Sequence, residues 1–473
     1  MEPPLHPRHR FLKLVKEIRK SSVRHASLRY QGLHDDQVEE LIAALLHTTS
    51  LLSLDLTSST ITNLGITRVC SHLPSCLQVL KLSHTAIITM DAAESIAFIV
   101  RQSPSLLDLH LDDCRMGNKG ILAMAMAFWR NRNKSVCEDR SLPVTQEMVS
   151  IPGQEHQRLC HLQVWNLSKN QIGLYTSSSA FTSSLTSVSS SSPATETATQ
   201  MLGSVLRDLA PNLQHLDLSQ NQLIDCDLAN LQLHLTAPRL VRLDLSNNRL
   251  GKSSGTTLWS IFVNCHCLED IHLCNNELGD SGIEAMFRGL ADSAIANRRQ
   301  KSYPLRSLQI SSNRLSDLAM EILTQELTLA AFPHLQTLCF SCNNIGDAGA
   351  TLLANYISKN PPILYTLDLH RNEIRNQGGQ ALTLALNTQN VHLKHLNISS
   401  NLISSPSILC SIRWATKLNQ SGRYILQNHD EVPLGLWPKI LETMNVKADI
   451  RYYFLQRIPD VIVAGLKRHD IMD

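Results

Sequence analysis

Apolar residues recur along this chain in one short spacing: the first, fourth, sixth and eleventh places of an eleven-residue stretch are aliphatic, and the ninth is polar. In "LVRLDLSNNRL" (240–250), Leu240, Leu243, Leu245 and Leu250 fill the apolar places and Asn248 the ninth. Allowing other aliphatics, the same spacing starts at Val23, Leu51, Leu77, Leu106, Leu162, Leu213, Leu240, Leu268, Leu305, Leu335, Leu364 and Leu393, and most starts lie 26 to 30 residues apart. Alternation of the fourth to sixth places predicts a short strand with its leucines pointing inward. A helical period follows, as in "IGDAGATLLANYISKNPP" (345–362), where Leu352, Leu353, Tyr356 and Ile357 share a face, Asp347 suits the N-terminus and proline stops the run. Strand, turn and helix fit in each interval, which predicts an α/β repeat array.

The ninth place holds Asn170, Asn221, Asn248, Asn276, Asn313, Asn343, Asn372 and Asn401 in the later repeats, but Gln31, Ser59, Thr85 and Cys114 in the first four. An asparagine there hydrogen-bonds backbone groups that a turn would otherwise leave buried and unpaired. With twelve registers, the chain resembles the ribonuclease-inhibitor type of leucine-rich repeat over about residues 23–415. That resemblance implies a solenoid in horseshoe form, with parallel strands on the concave face and helices on the convex face. One repeat cannot bury its own apolar face, so the stability of such an array is collective.

Three intervals break the period. Residues 131–158 are polar and proline-interrupted and predict a projecting loop; 176–200, "TSSSAFTSSLTSVSSSSPATETATQ", are too polar and too simple to pack; a smaller excess contains "NRRQKSYP" (297–304). At the N-terminus, residues 1–22 predict a basic capping helix, with Phe11, Leu14, Val15 and Ile18 on one face. An organelle transit peptide has a similar look, since eight Lys/Arg fall within 8–29 against one acidic residue, Glu17. Residues 416–473 predict a helical C-terminal cap, in which Leu436, Trp437, Ile440, Leu441, Tyr453, Phe454 and Leu455 cover the last repeat.

Composition narrows the functional classes. Charged residues are 18%, aromatics 5% and the formal net charge +2, so the core is aliphatic and no concentrated basic face marks a nucleic-acid binder. There is no apolar run of about 18 residues and no secretory h-region, so the expected location is cytoplasmic, without membrane insertion, and the twelve cysteines are expected to be reduced. Gly251, Lys252 and Ser253 match the end of a phosphate-binding loop, but Ser246 stands where that loop needs its first glycine, inside a predicted strand. "CHC" (Cys265 to Cys267, with Cys274) and "CFSC" (Cys339 to Cys342) resemble half zinc sites, but they fall in different registers and do not converge. No catalytic residue, cofactor, metal or small-molecule substrate is expected.

The informative positions are the third and fifth places, which lie between the inward leucines and face the hollow of the array. They put His215, Arg242 and Asp270 in one row and Asp217, Asp244 and His272 in the next, with strands about 4.8 Å apart. Further Asp/His pairs are Asp108 with His110 and Asp368 with His370. These residues are the expected contact surface for a protein partner, with Arg242 as a bidentate donor, and the histidines beside carboxylates imply pH-sensitive binding. The leading reading is a non-catalytic interaction scaffold. The alternatives are a GTPase-activating regulator, because Ran GTPase-activating proteins are similar across the array, and a part of a ciliary or cytoskeletal assembly. Ran GTPase-activating proteins carry an acidic segment after the repeats, whereas residues 404–473 hold nine Lys/Arg and seven Asp/Glu with no acidic run.

Overall fold

Every one of the twelve registers contains a three-residue strand centred on its fourth place. The computed structural model describes residues 7–29, 33–85, 90–103, 105–137, 161–173, 197–209, 212–231, 239–296, 302–328, 331–359 and 364–420. Gln31, most of the two insertions, most of the basic run 297–304 and the C-terminal residues 421–473 lie outside the described residues. The chain divides into two units, Met1–Ala296 with Tyr303–Leu305, and Arg306–Asp473 with Asn297–Ser302.

The first unit runs α1 (Pro7–Arg19), β1 (His25–Ser27), α2 (Asp35–Leu45), β2 (Ser53–Asp55), α3 (Asn63–Cys70), β3 (Val79–Lys81), α4 (Met90–Gln102), β4 (Asp108–His110), α5 (Gly117–Cys137), β5 (Val164–Asn166), α6 (Ala198–Leu209), β6 (His215–Asp217), α7 (Asp225–Leu231), β7 (Arg242–Asp244), α8 (Ser254–Asn264), β8 (Asp270–His272) and α9 (Gly279–Ala296). The second runs β9 (Ser307–Gln309), α10 (Asp317–Glu326), β10 (Thr337–Cys339), α11 (Asp347–Lys359), β11 (Thr366–Asp368), α12 (Asn376–Thr388), β12 (His395–Asn397) and α13 (Pro406–Gln420). In each unit consecutive strands pair in parallel and in register, as in Leu216↔Leu243↔Ile271 and Leu308↔Leu338↔Leu367. The centre of each of β1 to β11 is buried, with Trp165 taking the place of leucine in β5.

Two devices tie neighbouring repeats together. The Asn248 Nδ2 donates to the carbonyls of Leu245 in its own repeat (2.9 Å) and Leu218 in the one before (3.0 Å), while its Oδ1 accepts from the Leu223 N–H (3.1 Å). Asn221, Asn276, Asn343 and Asn372 repeat this pattern, so each slot side chain replaces the water that a turn would need. The second device links helix starts. The Asp225 Oδ1 accepts from the Gly251 N–H (2.6 Å), Asp317 serves Gly346 (2.6 Å), and Asp347 serves Arg375 (2.8 Å) and Gly378 (2.7 Å). Asp347 therefore caps the following helix rather than its own. Gly378 is required there, because a Cβ would lie 2.7 Å from that carboxylate oxygen.

Several predicted boundaries move. Helix α5 runs seven residues into the predicted loop 131–158, to Cys137, because 131–137 contain no proline or glycine to stop it. At the other insertion, α6 starts at Ala198, two residues before the predicted end, since Thr197 and Gln200 form a reciprocal capping box in which each side chain accepts from the other's N–H (3.2 and 2.8 Å). The boundary drawn between 415 and 416 falls inside α13, which Pro406 opens and which continues to Gln420. On α11 the buried seam is Ala350, Leu353, Ala354 and Ile357, with Leu352 and Tyr356 on its flank; the Tyr356 hydroxyl donates to the Leu327 carbonyl (2.8 Å) and burial pushes its pKa up to about 12.

Candidate functional site on the strand face

Because the middle residue of each strand points into the core, the first and third residues point the other way and align between strands. The register His215↔Arg242↔Asp270 and Asp217↔Asp244↔His272 builds two adjacent charged rows across β6, β7 and β8. Arg242 is exposed, and the other five side chains are half-buried. The His272 Nδ1 lies 3.2 Å from the Asp244 Oδ2 and 3.4 Å from the Arg242 Nη2. One ring nitrogen can donate to the carboxylate or accept from the guanidinium, not both. Donation to Asp244 is the shorter and charge-assisted contact, and it leaves the Arg242 guanidinium facing outward.

Two neighbouring carboxylates are driven in opposite directions. Burial pushes Asp217 above the usual carboxylate range, outweighing the hydrogen bonds from Ser219, and the Asp244 charge adds to the push. Burial also works against the Asp244 charge, but the His272 hydrogen bond and the Ser246 N–H (2.9 Å) more than offset it and hold Asp244 low.

Asp108 and His110 stand in the same two rows on β4, but Val164 and Asn166 of β5 separate them from β6. Burial, then repulsion from Lys81, lowers the His110 pKa against the pull of Asp112, Asp108 and Asp55. Asp368 and His370 belong to the second unit and to a different register: Asp368 is the fifth place of its repeat, and His370 the seventh. Asp368 accepts the His370 N–H (2.9 Å), and the His370 ring nitrogen Nδ1 lies 2.9 Å from the Ser399 Oγ.

A further polar cluster occupies the turns after β3, β4 and β5. The His84 ring contacts Asp113 (2.8 Å) and Asp112 (3.7 Å), Lys169 reaches Asp113 (3.4 Å), and Ser83 donates to Asp112. His84, Asp113 and Lys169 all have positive φ, near 55°. These residues are the seventh and eighth places of their repeats, and the pair of aspartates in "LDDC" is the sequence signal for them.

The glycine-lysine-serine stretch holds no space for phosphate. The Gly251 and Ser253 N–H groups and the Ser254 hydroxyl at the start of α8 all donate to the Asp225 carboxylate. A carboxylate of the chain thus fills the helix N-terminus that an anion would use. Among the described residues, no group of three or more His, Cys, Asp or Glu converges as metal ligands, ten cysteines are free thiols, and no helix is long and apolar enough to cross a membrane.

Comparison with known proteins meets the same repeats. Family models described as "Leucine Rich repeat" match residues 102–125, 158–174, 212–232, 239–265, 264–287, 333–354 and 389–409. The chain is a leucine-rich repeat protein. It is distantly homologous to the ribonuclease inhibitor of Sus scrofa, 24% identical over 396 residues that span 80% of this chain and 83% of that protein. The repeat region is also similar to the NACHT, LRR and PYD domains-containing protein 12 of Mus musculus, 24% identical over 70% of this chain but only 27% of that protein. The Ran GTPase-activating protein of Drosophila melanogaster is 33% identical over a shorter stretch, 27% of this chain and 22% of that protein. Leucine-rich repeat arrays of this kind typically bind proteins.

Proposed function

We propose that this leucine-rich repeat protein is a non-catalytic scaffold of the cytoplasm that binds a protein partner through the strand face of β6 to β8. The observation that carries this reading is the pair of aligned rows His215–Arg242–Asp270 and Asp217–Asp244–His272. Repeat architecture explains inward leucines and slot asparagines, but it does not require an exposed arginine between carboxylates. Arg242 offers a planar donor fork, and the aspartates offer acceptors to basic groups, so the patch selects a partner by complementary charge. Asp108 with His110 extends the contact across β4, and Asp368 with His370 provides a separate one in the second unit.

The test is affinity purification with mass spectrometry on the wild type and on Arg242→Ala/Asp270→Ala. The double variant is expected to lose proteins that the wild type retains while its circular dichroism and melting temperature stay the same. An unchanged set of retained proteins overturns the patch as the contact surface.

A GTPase-activating role is the second reading, favoured by the similarity to the Drosophila Ran GTPase-activating protein. It requires faster GTP hydrolysis by a small GTPase when this chain is added, and an unaltered rate removes it.

A further inference from the structure

Among the described residues, strand β1 is hydrogen-bonded on one side only. The Ser53 N–H donates to the Arg24 carbonyl (3.0 Å) and the Leu28 N–H to the Asp55 carbonyl (2.8 Å), so residues 24, 26 and 28 turn backbone groups toward β2. Backbone direction alternates along a strand, which turns the N–H and C=O groups of His25 and Ser27 the other way. None of these four groups has a partner among the described residues. Both residues are exposed, whereas the outer residues of β2 to β6 are half-buried. Ala26 and Leu28 are buried, as are Phe11 and Ile18 of α1, so the core beside this edge is closed and the backbone alone is left open.

The charge near the edge has one sign. Opposite the buried Phe11 and Ile18, α1 and the turn after it present Lys13, Lys16 and Lys20 in one exposed row, and Arg24 is exposed next to His25. None of the four forms an ion pair among the described residues, and Glu17 is the one carboxylate between residues 7 and 34.

Together these features select an occupant. Lysines beside an open edge repel a second copy of it, and they attract a strand that carries carboxylates. Phosphates of a nucleic acid or a lipid accept hydrogen bonds without donating, so they leave the His25 and Ser27 carbonyls unanswered. A polypeptide strand answers donors and acceptors alike. The apolar face of α1 is turned to the core, which leaves a lipid surface only charge to hold. We propose that the free edge of β1 takes an extended, acidic segment of a protein partner as an added strand. The backbone of His25 and Ser27 supplies the ladder, and Lys13, Lys16, Lys20 and Arg24 select the charge. This site is separate from the rows of β6 to β8 and stands whether or not those rows bind.

Fluorescence anisotropy tests this with the full chain and a labelled peptide of alternating glutamate and valine, beside a lysine–valine peptide and a fully N-methylated copy of the acidic one. The acidic peptide is expected to bind at least about tenfold more tightly than either control. Saturation is expected to slow hydrogen exchange at the His25 and Ser27 amides about tenfold or more and to leave Leu28 and Leu52, which donate within the array, unchanged. His25→Pro removes a donor from the free edge without touching the bonds to β2, and is expected to weaken binding about tenfold while Leu28 and Leu52 stay protected. Lys16→Glu/Lys20→Glu is expected to weaken it by about the same factor at low salt and by less at high salt. No binding up to about 1 mM, equal binding of either control, or binding that ignores both variants overturns the proposal. Tighter binding of oligo(dT) or of phosphatidylserine vesicles also overturns it, by giving the cations to a nucleic acid or a membrane. Slow His25 and Ser27 exchange without peptide does the same: the edge is then covered by the chain itself or, where the slowing grows with protein concentration, by a second copy.

Discussion

Within the first unit, the repeats of β2 to β4 and those of β5 to β8 share leucine spacing, strand register and buried centres, but they solve the turn differently. From β5 on, a slot asparagine binds two or three carbonyls and bridges two repeats. Before it, the Thr85 hydroxyl donates to the Leu82 carbonyl (2.7 Å) within its own repeat, the Cys114 thiol reaches the same carbonyl at 3.2 Å, and the Ser59 hydroxyl has no partner although it is buried. The same backbone path is therefore held by amides that bond two or three carbonyls in one region, and in the other by a local hydroxyl bond, a single thiol contact across to the preceding repeat, or an unpaired hydroxyl. Leucine packing sets the fold, and slot chemistry sets how firmly one repeat is tied to the next.

The largest effect that follows from this contrast is at an asparagine. Asn248→Ala removes donors from the Leu218, Leu245 and Ser246 carbonyls and an acceptor from the Leu223 N–H, all at a buried site. A loss of about 3 kcal/mol is expected in urea unfolding, because each buried group left unpaired costs on the order of 1 kcal/mol or more. A loss below about 0.5 kcal/mol shows that water replaces the amide, and the contrast between the regions disappears.

Native thiols read the two regions separately. Burial pushes Cys70 up to about 12, Cys114 up to about 11 and Cys265 up to about 12, so none of the three reacts while its repeat is closed. In mass-spectrometric labelling at pH 8 with rising urea, the exposed Cys226, Cys267 and Cys410 are expected to react first. Cys70 and Cys114 should follow, and Cys265 should come last, reflecting local opening that is easier by about 1 to 2 kcal/mol in the earlier repeats. Labelling of Cys114 and Cys265 at one urea concentration means that the region unfolds as a single cooperative unit.

Much of this arrangement is legible in the sequence, and the exceptions share a cause. The twelve strands were readable because the inward leucines obey a two-residue period that only a strand satisfies. The charged rows of β6 to β8 were readable for the same reason, since the third and fifth places must face away from the core. What escaped depends on neighbours. Asp347 looks like a cap for α11, and only the next repeat shows that Arg375 and Gly378 receive it. His84 meets Asp112 and Asp113 because a left-handed turn aims it across a repeat, so the aspartate pair of "LDDC" marks one side of the cluster but does not name its partner. The start of α6 could have been found, because the Thr197 and Gln200 spacing is a capping box in plain sequence.

Smaller effects sharpen the comparison from the weak side. Thr85→Ala removes one hydroxyl donor and is expected to cost about 1 kcal/mol, a third of the asparagine effect. Ser59→Ala is expected to be near neutral, within about 0.5 kcal/mol, because its hydroxyl has no partner to lose. Ser59→Asn goes further. If the slot rather than its surroundings makes the difference, an amide at residue 59 reaches the carbonyls of Leu28 and Leu56, the counterparts of Leu218 and Leu245 around Asn248. A gain of about 1 kcal/mol in urea unfolding, with delayed labelling of Cys70, is the expected result. A loss instead means that the turn after β2 is too tight for the larger side chain, and that the early repeats carry small slot residues because their packing demands them.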